Sequence, residues 1–200
     1  MRLKFESGGL LLALLGLLPF AAQAEHRTYV VAGASNTSDL VTHEFNYSNR
    51  VFFNHLALER DLTDEIRVGL SYWYYGTERE SNLVGNLPDP ITGVPTSVSG
   101  TRERGLSELV VTVSDNWYLS GFHSYIGIGL GIFRRSEDFT FSEPAFNRQD
   151  TWVEGARILF LGADYKLTSD VAAGLSLFYK YNTDTKIDYL ARAIELKYRF

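Results

Sequence analysis

The feature that most constrains this chain is a period of two that recurs along most of its length. It is strictest in residues 122–133, where Ile126, Ile128, Leu130 and Ile132 occupy one parity and Tyr125, Gly127, Gly129 and Gly131 the other. A helix places residues i and i+2 on different faces, so such a stretch makes sense only as a strand with two unlike faces. The same alternation organises residues 187–200, IDYLARAIELKYRF. There Leu190, Ile194, Leu196, Tyr198 and Phe200 share one register, with Arg192 the exception, and Tyr189, Ala191, Ala193, Glu195, Lys197 and Arg199 share the other. An apolar ridge on a terminal strand is a liability in water, but it is what a strand facing lipid requires.

Further strands follow at 27–35, 50–60, 65–77, 102–114, 151–165 and 171–181, which makes eight in all. In 65–77, Ile66, Val68, Leu70, Tyr72 and Tyr74 alternate with Arg67, Gly69, Ser71, Trp73 and Tyr75. In 171–181, Val171, Ala173, Leu175, Leu177 and Tyr179 alternate with Ala172, Gly174, Ser176, Phe178 and Lys180. The apolar set of each is expected outside and the mixed set inside. The facing of the first two strands stays open. In 151–165 both parities are apolar (Ile158 and Phe160 against Leu159 and Leu161), and Arg157 is faced inward because a mid-strand charge is costly in hydrocarbon.

The connections alternate in length. Those after odd strands run about 13, 24, 17 and 5 residues and those after even strands about 4, 7 and 5. Residues 78–101, with three Pro and three Gly, and the charged residues 134–150 are expected as long loops. Short turns at one end and long loops at the other are the habit of outer-membrane barrels, and an even strand number leaves no edge in lipid. A weak internal echo, LTDEIRVGLSYWYY from Leu62 and LTSDVAAGLSLFYK from Leu167, reads in both copies as turn, then strand.

At the amino end, Arg2 and Lys4 precede an apolar run that closes on Ala22-Gln23-Ala24, the pattern of a cleaved signal peptide. The expected division is therefore a signal peptide, 1–24, and a barrel domain, 25–200. Without Arg2, Lys4 and Glu6 the chain keeps 17 bases against 23 acids, an acidic balance with no basic tract, which argues against nucleic acid as a partner. The absence of Cys excludes disulfides and thiolate metal sites.

Over its whole mature length this pattern, with its terminal Phe200, resembles the small eight-stranded outer-membrane β-barrels that include OmpX, OmpW and the OmpA transmembrane domain. The resemblance implies an all-β, antiparallel, up-and-down transmembrane barrel in the cell outer membrane, expected as a monomer surrounded by lipid and lipopolysaccharide. It also implies an assembly signal, Leu196, Tyr198 and Phe200, for the barrel-assembly machinery. Some members of that architecture modify lipid A, but their His-x-Ser pair is not matched here: His43 is followed by Glu44, His123 by Ser124, and His55 is flanked by Asn54 and Leu56. The four His are scattered, and no catalytic residue, cofactor or metal site is assigned. The reading is a non-enzymatic barrel with a surface-binding or envelope-integrity role carried by its long loops, toward an extracellular ligand that the residues do not name. A narrow transport pore and a lipid A-modifying enzyme are the alternatives. Two residue sets are singled out. Arg67, Glu108, Arg157, Glu195 and Lys197 are expected as an interior charge network, with Glu108 and Arg157 paired across the glycine row of 122–133 to block the lumen. Arg134, Arg135 and Arg192 are candidates for lipopolysaccharide contact, because guanidinium pairs well with phosphate.

Overall fold

Eight strands close on themselves in the computed structural model, which describes residues 27–38, 41–42, 45–46, 51–89, 91–183 and 188–200. They are β1 (Thr28–Ser38), β2 (Val51–Asp61), β3 (Ile66–Pro88), β4 (Pro95–Leu119), β5 (Phe122–Phe141), β6 (Arg148–Lys166), β7 (Val171–Asn182) and β8 (Asp188–Arg199). Each pairs antiparallel with its chain neighbour, and β1 pairs with β8 to complete the barrel. A two-residue ladder, Val41–Thr42 with Phe45–Asn46, lies between β1 and β2. The expected signal peptide lies outside the described residues.

The turns at one end, which also carries Arg27 and Phe200, are short and locally specified. Between β4 and β5 the pair Leu119 and Phe122 is joined by Ser120 and Gly121, with φ of 47° and 88°. Two successive positive φ values match the right-handed twist of the flanking strands, which favours small residues there. The two halves of the sequence echo adopt one turn. Leu62 and Thr63 N–H donate to the Ile66 carbonyl, as Leu167 and Thr168 do to that of Val171. The Thr63 hydroxyl accepts from Glu65 and Ile66 N–H, and the Thr168 hydroxyl from Asp170 and Val171 N–H.

At the other end the expectation of long loops is corrected. β3 pairs with β4 from Ile66–Asp115 out to Pro88–Pro95, whereas β2 meets β3 only as far as His55–Trp73. β5 stays paired with β4 to Phe141–Gly100 and with β6 to Phe139–Arg148. Most of residues 78–101 and 134–150 is therefore a four-stranded arm, β3–β6, that continues the sheet beyond the barrel. The step from Thr77 to Pro88 alone spans roughly 35 Å of strand. Gly and Pro punctuate without stopping it: Gly76 and Asn82 take positive φ at two register shifts, and the hairpin tip falls after Asp89. There the Asp89 carboxylate accepts the N–H groups of Thr92 and Ile91, which hold its carboxyl below the usual range.

Facing follows the pleat. Exposed Ile126, Ile128, Leu130 and Ile132 on β5, Val111 and Val113 on β4, Leu175 on β7 and Ile194, Leu196, Tyr198 and Phe200 along and just past β8 form an outer belt. The first two strands, whose facing the alternation leaves open, turn Val31, Ser35, His55 and Ala57 inward and Val30 and Leu56 outward. β6 is opposite to expectation. Ala156, Ile158 and Phe160 are buried inside, while Arg157, Leu159 and Leu161 are exposed. Directly paired residues share a face, and Arg157 stands opposite outward Leu130, so pairing with β5 sets its direction.

The inward glycines of β5 are not an open lane. A Cβ at Gly131 would run into the Leu109 carbonyl and Val110 Cα, one at Gly127 into the Phe160 ring, and one at Gly129 into Val110. These residues admit close approach of the neighbouring strands and of Phe160, and the lumen beside them is packed.

Candidate functional site

The interior charges form two groups. Toward the arm, Lys180 of β7 and Glu108 of β4 are fully buried and 2.6 Å apart. The Tyr75 hydroxyl on β3 donates to Glu108 Oε2 at 2.6 Å and lies 2.7 Å from the Tyr189 hydroxyl of β8. Lys180 Nζ also donates to the Tyr75 oxygen at 2.6 Å and sits 3.5 Å from the centre of the Trp73 ring. Trp73 in turn stacks on His55 with centroids 3.9 Å apart, and Phe178 meets it edge-on at 4.7 Å. Four strands thus send one acid, one base and two phenols to a point in mid-lumen, where each charge has partners that replace lost water.

The second group lies nearer the short turns. Glu195 Oε2 accepts from Ser176 at 2.6 Å and from Tyr125 at 3.0 Å, and its other oxygen is 3.0 Å from His55 Nδ1. Lys197 Nζ reaches Asp164 at 3.0 Å and Glu59 at 3.7 Å and sits 4.1 Å from the centre of the Tyr125 ring. Arg67 is held by Asp61 at 2.6 Å and Glu59 at 3.2 Å, over the Tyr29 ring. Asn116 Nδ2 donates to the carbonyls of Glu65 and Ser114, which turns its Oδ1 toward His123 Nε2 at 3.0 Å, while His123 Nδ1 faces Asp164 at 3.0 Å. A cavity of about 210 Å³ opens at this end, lined among others by Arg27, Tyr29, His123, Asp164, Lys197 and Arg199.

Of the expected interior set, Arg67, Glu108, Glu195 and Lys197 are buried in the lumen, with Glu108 in the first group and the other three in the second. Arg157 is not part of either group. The expected Glu108–Arg157 pair does not form, because Arg157 projects from the outer wall, and Lys180 is the cation that meets Glu108. Alternation already placed Lys180, Tyr75 and Tyr189 on inward registers, but no short-range signal joins residues 105 positions apart, such as Tyr75 and Lys180.

The three candidate lipid-contact arginines divide. Arg134 and Arg192 are exposed on outward registers of β5 and β8. Arg135 has the opposite parity and points to the inner side, where it binds Glu137 at 2.7 Å and lies 5.0 Å from the centre of the Trp152 ring. It belongs to a charged and aromatic face that the arm carries. Arg102 meets Glu80 at 2.5 Å, Arg104 meets Glu137 at 3.3 Å, and Arg148 lies 4.2 Å from the centre of the Phe139 ring.

No family model matches this chain, and no curated protein matches it. Among solved structures it is similar to neisserial surface protein A, with a TM-score of 0.55 and 12% identity over 88% of this chain and 98% of that one. It is also similar to a major outer membrane protein of Thermus thermophilus, with a TM-score of 0.52 and 12% identity over 88% of this chain and all of that one (100%). Identity this low speaks to fold and is silent on role. With these two proteins the chain shares its fold, and its own sheet is a closed eight-stranded antiparallel β-barrel with an apolar outer wall, the architecture of small outer-membrane barrels.

Proposed function

We propose that this chain is a non-enzymatic, non-conducting outer-membrane barrel, a monomer whose working surface is the β3–β6 arm. In this orientation the short turns and both strand ends of the β1–β8 seam face the periplasm and the arm stands outside the cell, since outer-membrane barrels keep short turns on the periplasmic side. The observation that carries the closed lumen is the Glu108–Lys180–Tyr75–Tyr189 cluster, buried and mutually bonded across mid-barrel. An eight-stranded barrel is just wide enough for side chains to fill it, so one such cluster with Trp73 and Phe178 occupies the cross-section. The arm supports the surface role: its Arg and aromatic side chains lie on a paired, rigid sheet and are presented to a ligand or to neighbouring envelope components without the ordering cost of a loose loop. Leu196, Tyr198 and Phe200 serve as the assembly signal, and residues 1–24 as an export segment that is removed.

Planar-bilayer recording tests the lumen. The wild-type barrel is expected to show no large steady conductance. Steady single-channel currents in the wild type, unchanged by Glu108→Ala, would place transport ahead of the scaffold role. The arm is tested in a strain lacking the protein, complemented with the full chain or with one whose residues 79–102 are replaced by a two-residue Asn-Gly turn. Restored detergent resistance or surface adhesion with the full chain only is the expected result.

A further inference from the structure

Arg157 on β6 and Arg192 on β8 are exposed on the outer wall, and among the described residues neither has an ion-pair partner. Their setting is apolar. Toward the short turns Arg157 is followed on its own face by Leu159 and Leu161, and Arg192 by Ile194 and Leu196, all exposed. Each arginine lies eight residues from an aromatic at the turn end, Tyr165 and Phe200 respectively. Eight residues cover about 26 Å of strand, and roughly 20 Å of height at the usual tilt, close to the roughly 25 Å of an outer-membrane apolar band. Both guanidinium groups therefore emerge at the arm-side limit of the hydrocarbon, where long basic side chains reach for headgroups.

The strand between them completes the geometry. β7 pairs with β6 through Tyr181–Arg157 and with β8 through Leu177–Arg192, so outward Tyr179 lies between the two arginines. β6 and β8 are two strands apart, about 10 Å across, and the β7 partners of the two arginines are four residues apart, about 13 Å along the strand, so their Cα atoms stand roughly 16 Å apart, a span that two long Arg side chains reaching toward Tyr179 cover with a phosphate group between them. The nearby carboxylate of Asp188 accepts the Tyr179 hydroxyl at 2.8 Å, which draws it into a local bond. Arg134, outward on β5 above Ile132, adds a third cation to the wall.

We propose that Arg157 and Arg192, astride Tyr179, form a clamp for the phosphates of a phosphorylated glycolipid headgroup in the outer leaflet, with the aliphatic ladders below them packing its acyl chains. Guanidinium is suited to this by its planar donors, which bind phosphate bidentately, and the low-dielectric rim strengthens the contact. The site rests on the outer wall facing lipid and not on the closed lumen, so a conducting barrel would leave it untouched. It replaces inward Arg135 with Arg157 in the set read from sequence.

The test uses the folded barrel in detergent, titrated with diphosphoryl lipid A, with the same lipid stripped of phosphate, and with inorganic phosphate, the bound species counted by native mass spectrometry. An Arg157→Leu, Arg192→Leu double variant keeps an apolar outer wall and is checked for folding by heat-modifiable migration. Arg60→Ala, on β2 beside the short turns at the opposite end of the barrel, is the control. Expected are retention of diphosphoryl lipid A by the wild type and the control, on the order of tenfold weaker retention by the double variant, weak retention of the stripped lipid, and no displacement by inorganic phosphate. Equal affinity of wild type and double variant, or equal retention of the stripped lipid, overturns the clamp. Displacement by inorganic phosphate overturns the assignment to a lipid in favour of a free-anion site.

Discussion

Lys180 and Glu108 show how a buried charge is tolerated at the level of single residues. Removing one partner of a buried pair leaves the other desolvated and uncompensated, at about 3–5 kcal/mol, whereas removing both charges together costs far less. Lys180→Met is therefore expected to lower stability by about that amount, and Glu108→Gln with Lys180→Met to recover most of it. Urea unfolding in lipid, followed by the fluorescence of adjacent Trp73, reads both. Equal losses would mean that the pair is not mutually compensated. The outer wall obeys another rule, since its side chains meet hydrocarbon. Leu130→Arg is expected to cost about 2–4 kcal/mol, while Val84→Arg, on the arm and 76% exposed, changes stability little. Similar effects at the two positions would invert the assigned facing.

Among the elements, β5 and the arm respond differently to an added methyl group. Gly131 is pressed against the backbone of β4, so Gly131→Ala forces strands apart at about 1–3 kcal/mol. Gly85 lies on the arm, where the nearest neighbour to an added methyl would be the Leu87 side chain at 4.0 Å, so Gly85→Ala is expected to be neutral or slightly stabilising. Unfolding midpoints of the two variants compare them directly, and a cost at Gly85 as large as at Gly131 would contradict this packing. The arm carries its own protection against unwanted pairing. Along β3 the register shifts between Tyr74 and Thr77 and again between Glu80 and Leu83, breaking the regular edge that β2 leaves uncovered. Bulges and charges of this kind discourage another chain from adding a strand.

The whole molecule depends on one seam. β1 and β8 meet from Tyr29–Arg199 to Ser38–Leu190, and Phe200 N–H donates to the Thr28 carbonyl at 3.1 Å. Until that ladder forms, both strands are open edges that hydrocarbon cannot satisfy. Deleting Phe200, which removes the outward aromatic and a seam contact at the same point, or replacing it with Asp, which puts a charge where the aromatic faced outward, is expected to block membrane insertion. Heat-modifiable migration in gels checks this, and normal folded migration of either variant would show that the seam closes without it.

Strand identity, strand number and most of the facing were legible without coordinates, because a period of two is local and each of β3, β5, β7 and β8 has chemically unlike faces. The signal failed at β6. With Ile158 and Phe160 set against Leu159 and Leu161, the pattern is symmetrical, and a single Arg157 was the only tie-breaker. Pairing with β5 and β7 decided otherwise, since a one-residue slip would have faced Arg157 with inward partners and sent Ile158 and Phe160 into lipid. The arm was hidden for a related reason: Gly and Pro report local breaking tendency, whereas a β-ladder is held by partners far along the chain. The same holds for the lumen. Alternation on β3, β4, β7 and β8 already turned Arg67, Glu108, Lys180, Glu195 and Lys197 inward, but only the closed sheet, by bringing those strands around one axis, decided that Glu108 would meet Lys180, Tyr75 and Tyr189.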